Sequence, residues 1–205
     1  MFGENFIERA MVGLPVLLLS LTVHEYFHAW SALKFGDTTA RDQGRLTLHP
    51  LAHLDFMGVV VMVVSNFHFG WAKPVPVNPY NLRDPRKADF WISFAGPLSN
   101  IGLAVIFALV LRTYVGLSTV PNRFVFNLLN SGVTINLALA FFNMIPLFPL
   151  DGSHILRSVV SEKHGPTLDQ IERFSPFVLI ILVISGGLWY IIGPFVWFFY
   201  RLLMS

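Results

Sequence analysis

Two histidines and one glutamate lie close together in an otherwise apolar stretch, as His24-Glu25-Tyr26-Phe27-His28. On a helix, residues four apart lie on the same face, one turn from each other. Two imidazoles placed in this way can bind one Zn²⁺ ion. The carboxylate of Glu25 can then accept a proton from a water molecule at the metal. The spacing therefore predicts a zinc site with His24 and His28 as ligands and Glu25 as general base.

The alternative for this motif is a purely structural one, with two hydrogen-bonded histidines and a buried glutamate. It is disfavoured because these groups lie in an apolar segment that is long enough to cross a membrane. Ionisable side chains at that depth are costly unless they are paired or bind an ion. A metal site is therefore the preferred interpretation of residues 24–28.

A catalytic zinc site needs a third protein ligand and one open position. The favoured candidate is Asp151, which directly follows a helix-breaking stretch with prolines at 146 and 149. A helix-terminal cap is the structural alternative for this aspartate. Other carboxylates and one histidine remain possible ligands: Asp37, Asp42, Asp55, Glu162, Glu172 and His154.

The composition indicates the kind of protein that must position these groups. Apolar residues make up 54% of the 205 residues and charged residues 13%, against about 25% in a typical soluble domain. This argues against a separate soluble domain and against disorder, and it predicts one integral-membrane domain over residues 1–205. The net charge of +2 gives no reason to expect a nucleic-acid partner. Cysteine is absent, so His, Asp and Glu must supply any metal ligands.

The hydrophobic pattern predicts an all-α polytopic fold with about four spanning helices. The apolar runs long enough to cross a bilayer, which takes about 20 residues, are 6–35, 88–111, 126–147 and 176–200. The run 56–70 is too short, and the prolines of 71–79 favour extended chain. We therefore expect a short re-entrant, partly β segment there.

Charge placement supports that path. With a re-entrant 56–70, ten of the lysines and arginines lie on the side of His28 and four on the other. A full crossing would give eight and six. Because basic loops favour the cytoplasm, the first arrangement predicts an outside N-terminus and a site toward the cytoplasm. It also places Asp151 on the same side as His28.

Four segments together resemble the site-2 protease family of intramembrane zinc metalloproteases. They are HEYFHAW at 24–30, GPLSN at 96–100, NMIPLFPLDG at 143–152 and FGWAKPVPVN at 69–78. The resemblance covers nearly the whole chain and is closest to compact bacterial members without PDZ or CBS domains. It implies one Zn²⁺ per chain, held by His24, His28 and Asp151. It further implies that Glu25 is the catalytic acid/base and that Asn143 helps hold the scissile carbonyl.

The expected function is that of an intramembrane zinc metalloendopeptidase in the bacterial plasma membrane. Its expected partners are the lipid bilayer and a transmembrane protein or peptide, cleaved by Glu-assisted attack of a zinc-activated water. The re-entrant segment would accept the unwound substrate. One alternative is a membrane metal-binding or transport protein that uses the same His/Asp site, and another is an inactive protein of the same fold. The oligomeric state and the roles of His49, His53 and His68 stay open.

Overall fold

The computed structural model describes residues 6–64 and 70–205, and helices dominate this part of the chain. The α-helices are α1 (Phe6–Lys34), α2 (Thr39–Asp42), α3 (Phe56–Val64), α4 (Pro85–Leu117), α5 (Arg123–Asn143), α6 (Asp151–Val159), α7 (Gly165–Ile184) and α8 (Gly187–Met204). Short 3₁₀ turns lie at Pro50–Ala52, Pro79–Asn81 and Glu162–His164.

Four of the described helices are long and apolar enough to cross a membrane. The spans are Ala10–Lys34, Pro85–Leu117, Arg123–Asn143 and Gly187–Met204. This confirms the predicted all-α fold and the number of spans. The two central helices begin where the sequence supplies caps. Asp84 accepts a hydrogen bond from Lys87 N ahead of α4, and Asn122 accepts from two backbone N–H groups ahead of α5.

The predicted span 176–200 is wrong as a single helix. The chain forms α7 and α8 there, and the break lies at Gly186, whose φ of 72° is left-handed. Glycine adopts this conformation without the steric cost that a Cβ would impose, so it commonly ends a helix. The apolar run continues across the break, and hydropathy alone therefore joined two helices into one.

The predicted re-entrant, partly β segment is not supported. Residues 56–64 form helix α3, and the described part of the chain contains no strand. Extended pairing is limited to one isolated antiparallel bridge between Leu54 and Ala72. The apolar run at 56–64 carries no proline, so nothing prevents local helical hydrogen bonding there. Residues 65–69, including His68, lie outside the described residues.

Helix α4 is the centre of the bundle and packs against α1, α5 and α6. Arg83 N donates to Phe35 O at 3.2 Å, which places the start of α4 beside the end of α1. A short turn joins α4 to α5, which runs back, so the end of α5 lies at this same end of the bundle. We call it the site end. A buried cluster of small and branched residues fills the interior between α4, α5 and α8: Ala104, Ala108, Val133, Leu137 and Val196.

Candidate metal centre

Helix α1 brings His24 and His28 together at the site end. Both side chains are buried, and their Nε2 atoms lie 2.9 Å apart. The four-residue spacing puts both rings on the same face of the helix, as the sequence predicted. The two Nε2 atoms therefore point toward one common position.

Asp151 reaches the same position from a different helix. Its carboxylate lies 3.2 Å from His24 Nε2 and 3.3 Å from His28 Nε2, one oxygen toward each ring. Asp151 is the first residue of α6, just after the chain turns back from α5. The turn is tight at the next residue, since a Cβ on Gly152 would lie 2.4 Å from two backbone carbonyl oxygens. The chain reversal therefore brings the predicted third ligand to the two histidines.

The donor atoms fit a metal ion. His28 Nδ1 lies 2.7 Å from Ile92 O, and a backbone carbonyl only accepts, so Nδ1 carries the proton and Nε2 keeps its lone pair. His24 Nδ1 likewise faces the oxygen Oδ1 of Asn100 at 2.7 Å. Two imidazole lone pairs and a carboxylate then converge without a proton between them, and they would repel each other. A cation with three protein ligands and an open fourth position removes this repulsion, which is the pattern of catalytic zinc.

Two further observations support this fit. Among the described residues, His24, His28 and Asp151 are the one group whose ligand atoms lie close enough to hold a metal, all within 4.8 Å of one another. Asp151 Oδ2 is buried and receives no hydrogen bond from the described part of the chain. A buried carboxylate oxygen without a donor is what a bound cation would satisfy.

Glu25 lies beside this group and is not one of its members. Its side chain is buried, and its Oε2 accepts a hydrogen bond from Val75 N at 3.0 Å. A carboxylate next to the ligands, and held by the backbone of another segment, is placed as a base would be. The geometry is consistent with the predicted division between two histidine ligands and one non-ligand glutamate.

The segment that contacts Glu25 is held in place by two further side chains. We call residues 73–78 the strap, a stretch without regular secondary structure. The guanidinium of Arg45 donates to Lys73 O at 2.6 Å and to Pro74 O at 3.3 Å. The prolines of the strap have no N–H to donate. The strap is therefore anchored largely through the carbonyl oxygens of Lys73 and Pro74 and through the N–H of Val75.

Asp37 anchors the other end of the strap and is not near the metal position. Its Oδ2 accepts from Asn78 N at 2.7 Å, and its Oδ1 accepts from Thr39 and from Asn81 Nδ2. Burial would raise the pKa of this carboxyl, but the hydrogen bonds from Thr39, Asn78 and Asn81 outweigh burial and lower it. Asp37 was a possible metal ligand by sequence. The fold makes it a structural carboxylate instead.

The other alternative ligands also lie elsewhere. Asp42 pairs with Arg41, and Asp55 caps the N–H of Gly58. His154, one turn after Asp151, has its Nδ1 3.3 Å from Asp89 Oδ1.

One more of these candidate ligands binds a protein partner, and so does one of the histidines whose role was left open. Glu172 pairs with Arg157. His53 is buried with Nε2 2.8 Å from Thr47 O. The fold therefore leaves Asp151 as the third member of the group.

Asn143, predicted to hold the scissile carbonyl, is the last residue of α5. Its Nδ2 donates to Leu139 O at 3.0 Å, one turn back on its own helix. The side chain is half-buried at the start of the turn toward Asp151. Its catalytic role stays a prediction.

Three residues on α4 and α5 support the histidines, although reasoning from the sequence assigned none of them to the site. A Cβ on Gly96 would lie 2.4 Å from His28 Nε2 and 2.6 Å from His24 Cε1, so only glycine lets α4 approach the two rings. Asn100 and Asn136 are fully buried, and Asn100 bonds His24. One signal was available: a buried amide inside an apolar span is costly, and this marks it as a functional candidate.

A membrane-spanning helix with two histidines and an adjacent glutamate, joined by an aspartate from α6, is typical of a membrane-embedded metallopeptidase. The comparisons agree with this class. The sequence matches the family model described as "Peptidase family M50" over residues 12–122 and 113–186. The chain belongs to this family, and it is a zinc metalloprotease and an integral membrane protein.

Similar proteins come from bacteria and archaea. The chain is 39% identical to the candidate zinc metalloprotease YwhC of Bacillus subtilis, over 87% of this chain and 82% of that protein. It is 36% identical to the candidate zinc metalloprotease MJ0611 of Methanocaldococcus jannaschii, over 75% of this chain and 86% of that one. The zinc metalloprotease MJ0392 of the same organism is 26% identical over 73% of this chain. The match covers about a third (34%) of the length of MJ0392. No solved structure matches the chain.

Proposed function

We propose that this protein is an intramembrane endopeptidase that cleaves transmembrane segments of other proteins with one zinc ion per chain. The observation that carries the proposal is the group of His24, His28 and Asp151, with Glu25 beside it and outside the ligand set. Two of these ligands lie on a spanning helix, so the site is at a depth where membrane-spanning substrates can reach it.

The residues of the chain divide the chemistry between them. His24, His28 and Asp151 hold the metal. A bound zinc ion supplies a Lewis acid that makes water more acidic and polarises a carbonyl group. Glu25 accepts the proton of the attacking water and later donates it to the amine nitrogen that leaves. The hydrogen bond from Val75 N to Glu25 Oε2 fixes the direction of this carboxylate. Asn143 is proposed to hold the scissile carbonyl once its amide turns away from Leu139.

The substrate is proposed to unwind before cleavage, because a helical peptide bond is shielded by its own side chains and hydrogen bonds. The strap supports this proposal, since it is anchored by Arg45 and Asp37 and passes directly over Glu25. An unwound substrate could lie alongside it as an added extended segment.

The proposed location is the plasma membrane of a bacterium, with the site toward the cytoplasm. The loops at the site end carry most of the lysines and arginines, whereas Arg112 and Arg201 belong to the opposite end, where Arg112 donates to Leu203 O. The positive-inside rule assigns the more basic end to the cytoplasm. The proposed partners are the lipid bilayer and a transmembrane protein or peptide.

The decisive variant is Glu25→Gln, which keeps the shape of the side chain and an acceptor for Val75 N but cannot take up a proton. We expect zinc to stay bound and cleavage of a membrane-spanning peptide to fall by about 10²–10⁴-fold. His24→Ala should instead lose the zinc. Zinc content and peptide cleavage are measured on protein reconstituted in vesicles.

The same two variants distinguish an enzyme from a metal carrier. Wild-type cleavage rates in Glu25→Gln would remove Glu25 as the base and bring the transport alternative forward. Purified wild-type protein that holds neither zinc nor a substitute divalent metal would reject the metal site itself.

A further inference from the structure

Two asparagines lie inside the apolar bundle with no access to solvent. Asn100 on α4 and Asn136 on α5 are both 0% exposed. A buried amide costs free energy unless its donors and acceptors are satisfied. The described structure satisfies them through one continuous line of hydrogen bonds, which crosses three helices and ends at a histidine of the metal group.

The line begins at a backbone carbonyl. Asn136 Nδ2 donates to Gly132 O at 2.8 Å. Asn136 Oδ1 then accepts from Asn100 Nδ2 at 2.9 Å, and the same Nδ2 lies 3.2 Å from Ser20 O. Asn100 Oδ1 finally faces His24 Nδ1 at 2.7 Å. Each link joins one donor to an acceptor.

The direction of the line follows from its first link. A backbone carbonyl can only accept, so the amide nitrogen of Asn136 must face Gly132 and its oxygen must face Asn100. For the same reason the nitrogen of Asn100 faces Asn136 and Ser20, and its oxygen faces His24. Turning either amide over would place oxygen against oxygen. His24 is therefore required to carry its proton on Nδ1, which leaves the lone pair on Nε2 for the metal.

The two histidines differ in this respect. The Nδ1 of His28 faces the backbone carbonyl of Ile92, whose direction the helix already fixes. The Nδ1 of His24 depends on side chains alone. An amide on a neighbouring helix can rotate or be replaced, whereas the carbonyl of Ile92 cannot.

We propose that Asn100 and Asn136 form a positioning relay that fixes the tautomer and the ring orientation of His24 for metal binding. The relay rests on the metal site proposed above. Neither asparagine touches the metal position, so both act through His24. Hydrogen-bond partners of metal-binding histidines typically contribute 10- to 100-fold in metal affinity, which gives the scale of the effect.

The test compares Asn100→Leu with Asn100→Asp. Leucine removes the acceptor that faces His24, and we expect zinc to bind about 10- to 100-fold more weakly. Aspartate keeps an acceptor toward His24 but loses both donors. We therefore expect the zinc affinity to stay within about 3-fold of wild type. The metal-free protein should become less stable, because the two donors are lost. A purely structural asparagine would give parallel losses of affinity and stability in both variants.

Zinc affinity is measured on the full chain in detergent by competition with a coloured chelator, and thermal unfolding of the metal-free protein is recorded beside it. Thr134→Val is the matched control on α5, because its hydroxyl bonds only Asn130 O of its own helix in the described structure. It should bind zinc like wild type. Unchanged affinity in Asn100→Leu, or equal weakening in Asn100→Asp, overturns the relay.

Asn136→Leu carries the test if Asn100→Leu does not fold. It leaves His24 and Asn100 in place and removes one of the two acceptors that direct the Asn100 amide, so that only Ser20 O still holds it. Zinc should then bind about 3- to 10-fold more weakly, on the same scale. Wild-type affinity in this variant also overturns the relay. The metal site is judged separately by His24→Ala. If wild type binds zinc and His24→Ala does not, a negative relay result leaves the site itself standing.

Discussion

Helices α1, α4 and α5, which surround the site, pack differently from helices α7 and α8, which follow them in the chain. In α1, α4 and α5 many of the buried contacts are made by small residues such as Ala32, Ala104 and Ala140. In α7 and α8 large side chains point outward, with Phe177 at 66% and Trp197 at 58% exposed. Small residues let helix backbones approach closely in a membrane, where apolar surface alone gives little drive for helices to associate.

Polar side chains can therefore be buried where the helices of such a protein approach each other closely. His28 and Asn100 are held because neighbouring backbones lie within hydrogen-bond distance of their side chains, and His24 is held by the side chain of Asn100. The outward faces of α7 and α8 carry large apolar side chains, which are suited to contact with lipid. If close helix approach sustains the site, substitutions that separate α1, α4 and α5 should be more harmful than substitutions on the outward faces of α7 and α8.

Gly96→Ala should disrupt the site directly. Its Cβ would lie 2.4 Å from His28 Nε2, so the rings or the helix must shift. We expect zinc affinity to fall on the order of 10²-fold and peptide cleavage by about 10²-fold more for a displacement near 1 Å. Gly102→Ala on the same helix has nothing within 4 Å of its Cβ and serves as the control. Zinc bound equally in both variants would contradict the close-approach argument.

Gly132→Ala should loosen the contact between α4 and α5 at some distance from the metal position. Its Cβ would lie 2.3 Å from the ring of Phe107. Overpacking of this kind typically costs about 1–3 kcal/mol, so the apparent melting temperature in detergent should fall. Gly116→Ala, with open space around its Cβ, should not lower it. A melting temperature in Gly132→Ala no lower than that in Gly116→Ala would show that α4 and α5 tolerate separation.

Exposed apolar residues on the outward faces should be insensitive by comparison. Ile181→Ala removes bulk from a side chain that is 65% exposed. The change in the free energy of unfolding should stay within about 0.5 kcal/mol. The measurement is made beside Gly132→Ala in the same detergent. A loss as large as that of Gly132→Ala would mean that this face packs against protein and not lipid.

The smallest effect is expected at the rim of the site end, where His154 of α6 lies against Asp89 of α4. The hydrogen bond with Asp89 raises the pKa of His154 above its ordinary value, and burial opposes this. The stabilisation of the folded protein by the His154–Asp89 pair is therefore fully present below the pKa of His154 in the unfolded chain, near 6.5. It is lost as the pH rises through the higher pKa of His154 in the folded protein. Both side chains are substantially exposed, so the effect should be under about 1 kcal/mol.

The measurement is the melting temperature of wild type and His154→Asn at pH 5.5 and at pH 9.5, values chosen about one unit below and three above the unfolded pKa. The difference between the two proteins should be larger at the lower pH. A difference that grows toward high pH would reverse the assigned sign.

The sequence predicted the local features of the site and missed the contacts between helices. The spacing of His24 and His28 places them on one face of any helix, so their pairing followed from α1 alone. Asp151 was one of several candidate carboxylates until the turn after α5 brought it to within 3.3 Å of both rings. The boundary at Gly186 was missed because hydropathy does not register a single residue with positive φ.

The sequence was enough to predict that this chain lies in a membrane, that it has about four spanning helices, and that one helix presents two imidazoles and a carboxylate. These are properties of composition and of the helical period, which act over one turn or one span. Only the packing of the helices showed that Asp151, and not another candidate carboxylate, lies against the histidines, that Gly96 must lack a side chain, and that Asn100 and Asn136 are lined up with His24. Each of these depends on the distance between atoms far apart in the chain, and that distance is set only when the helices pack.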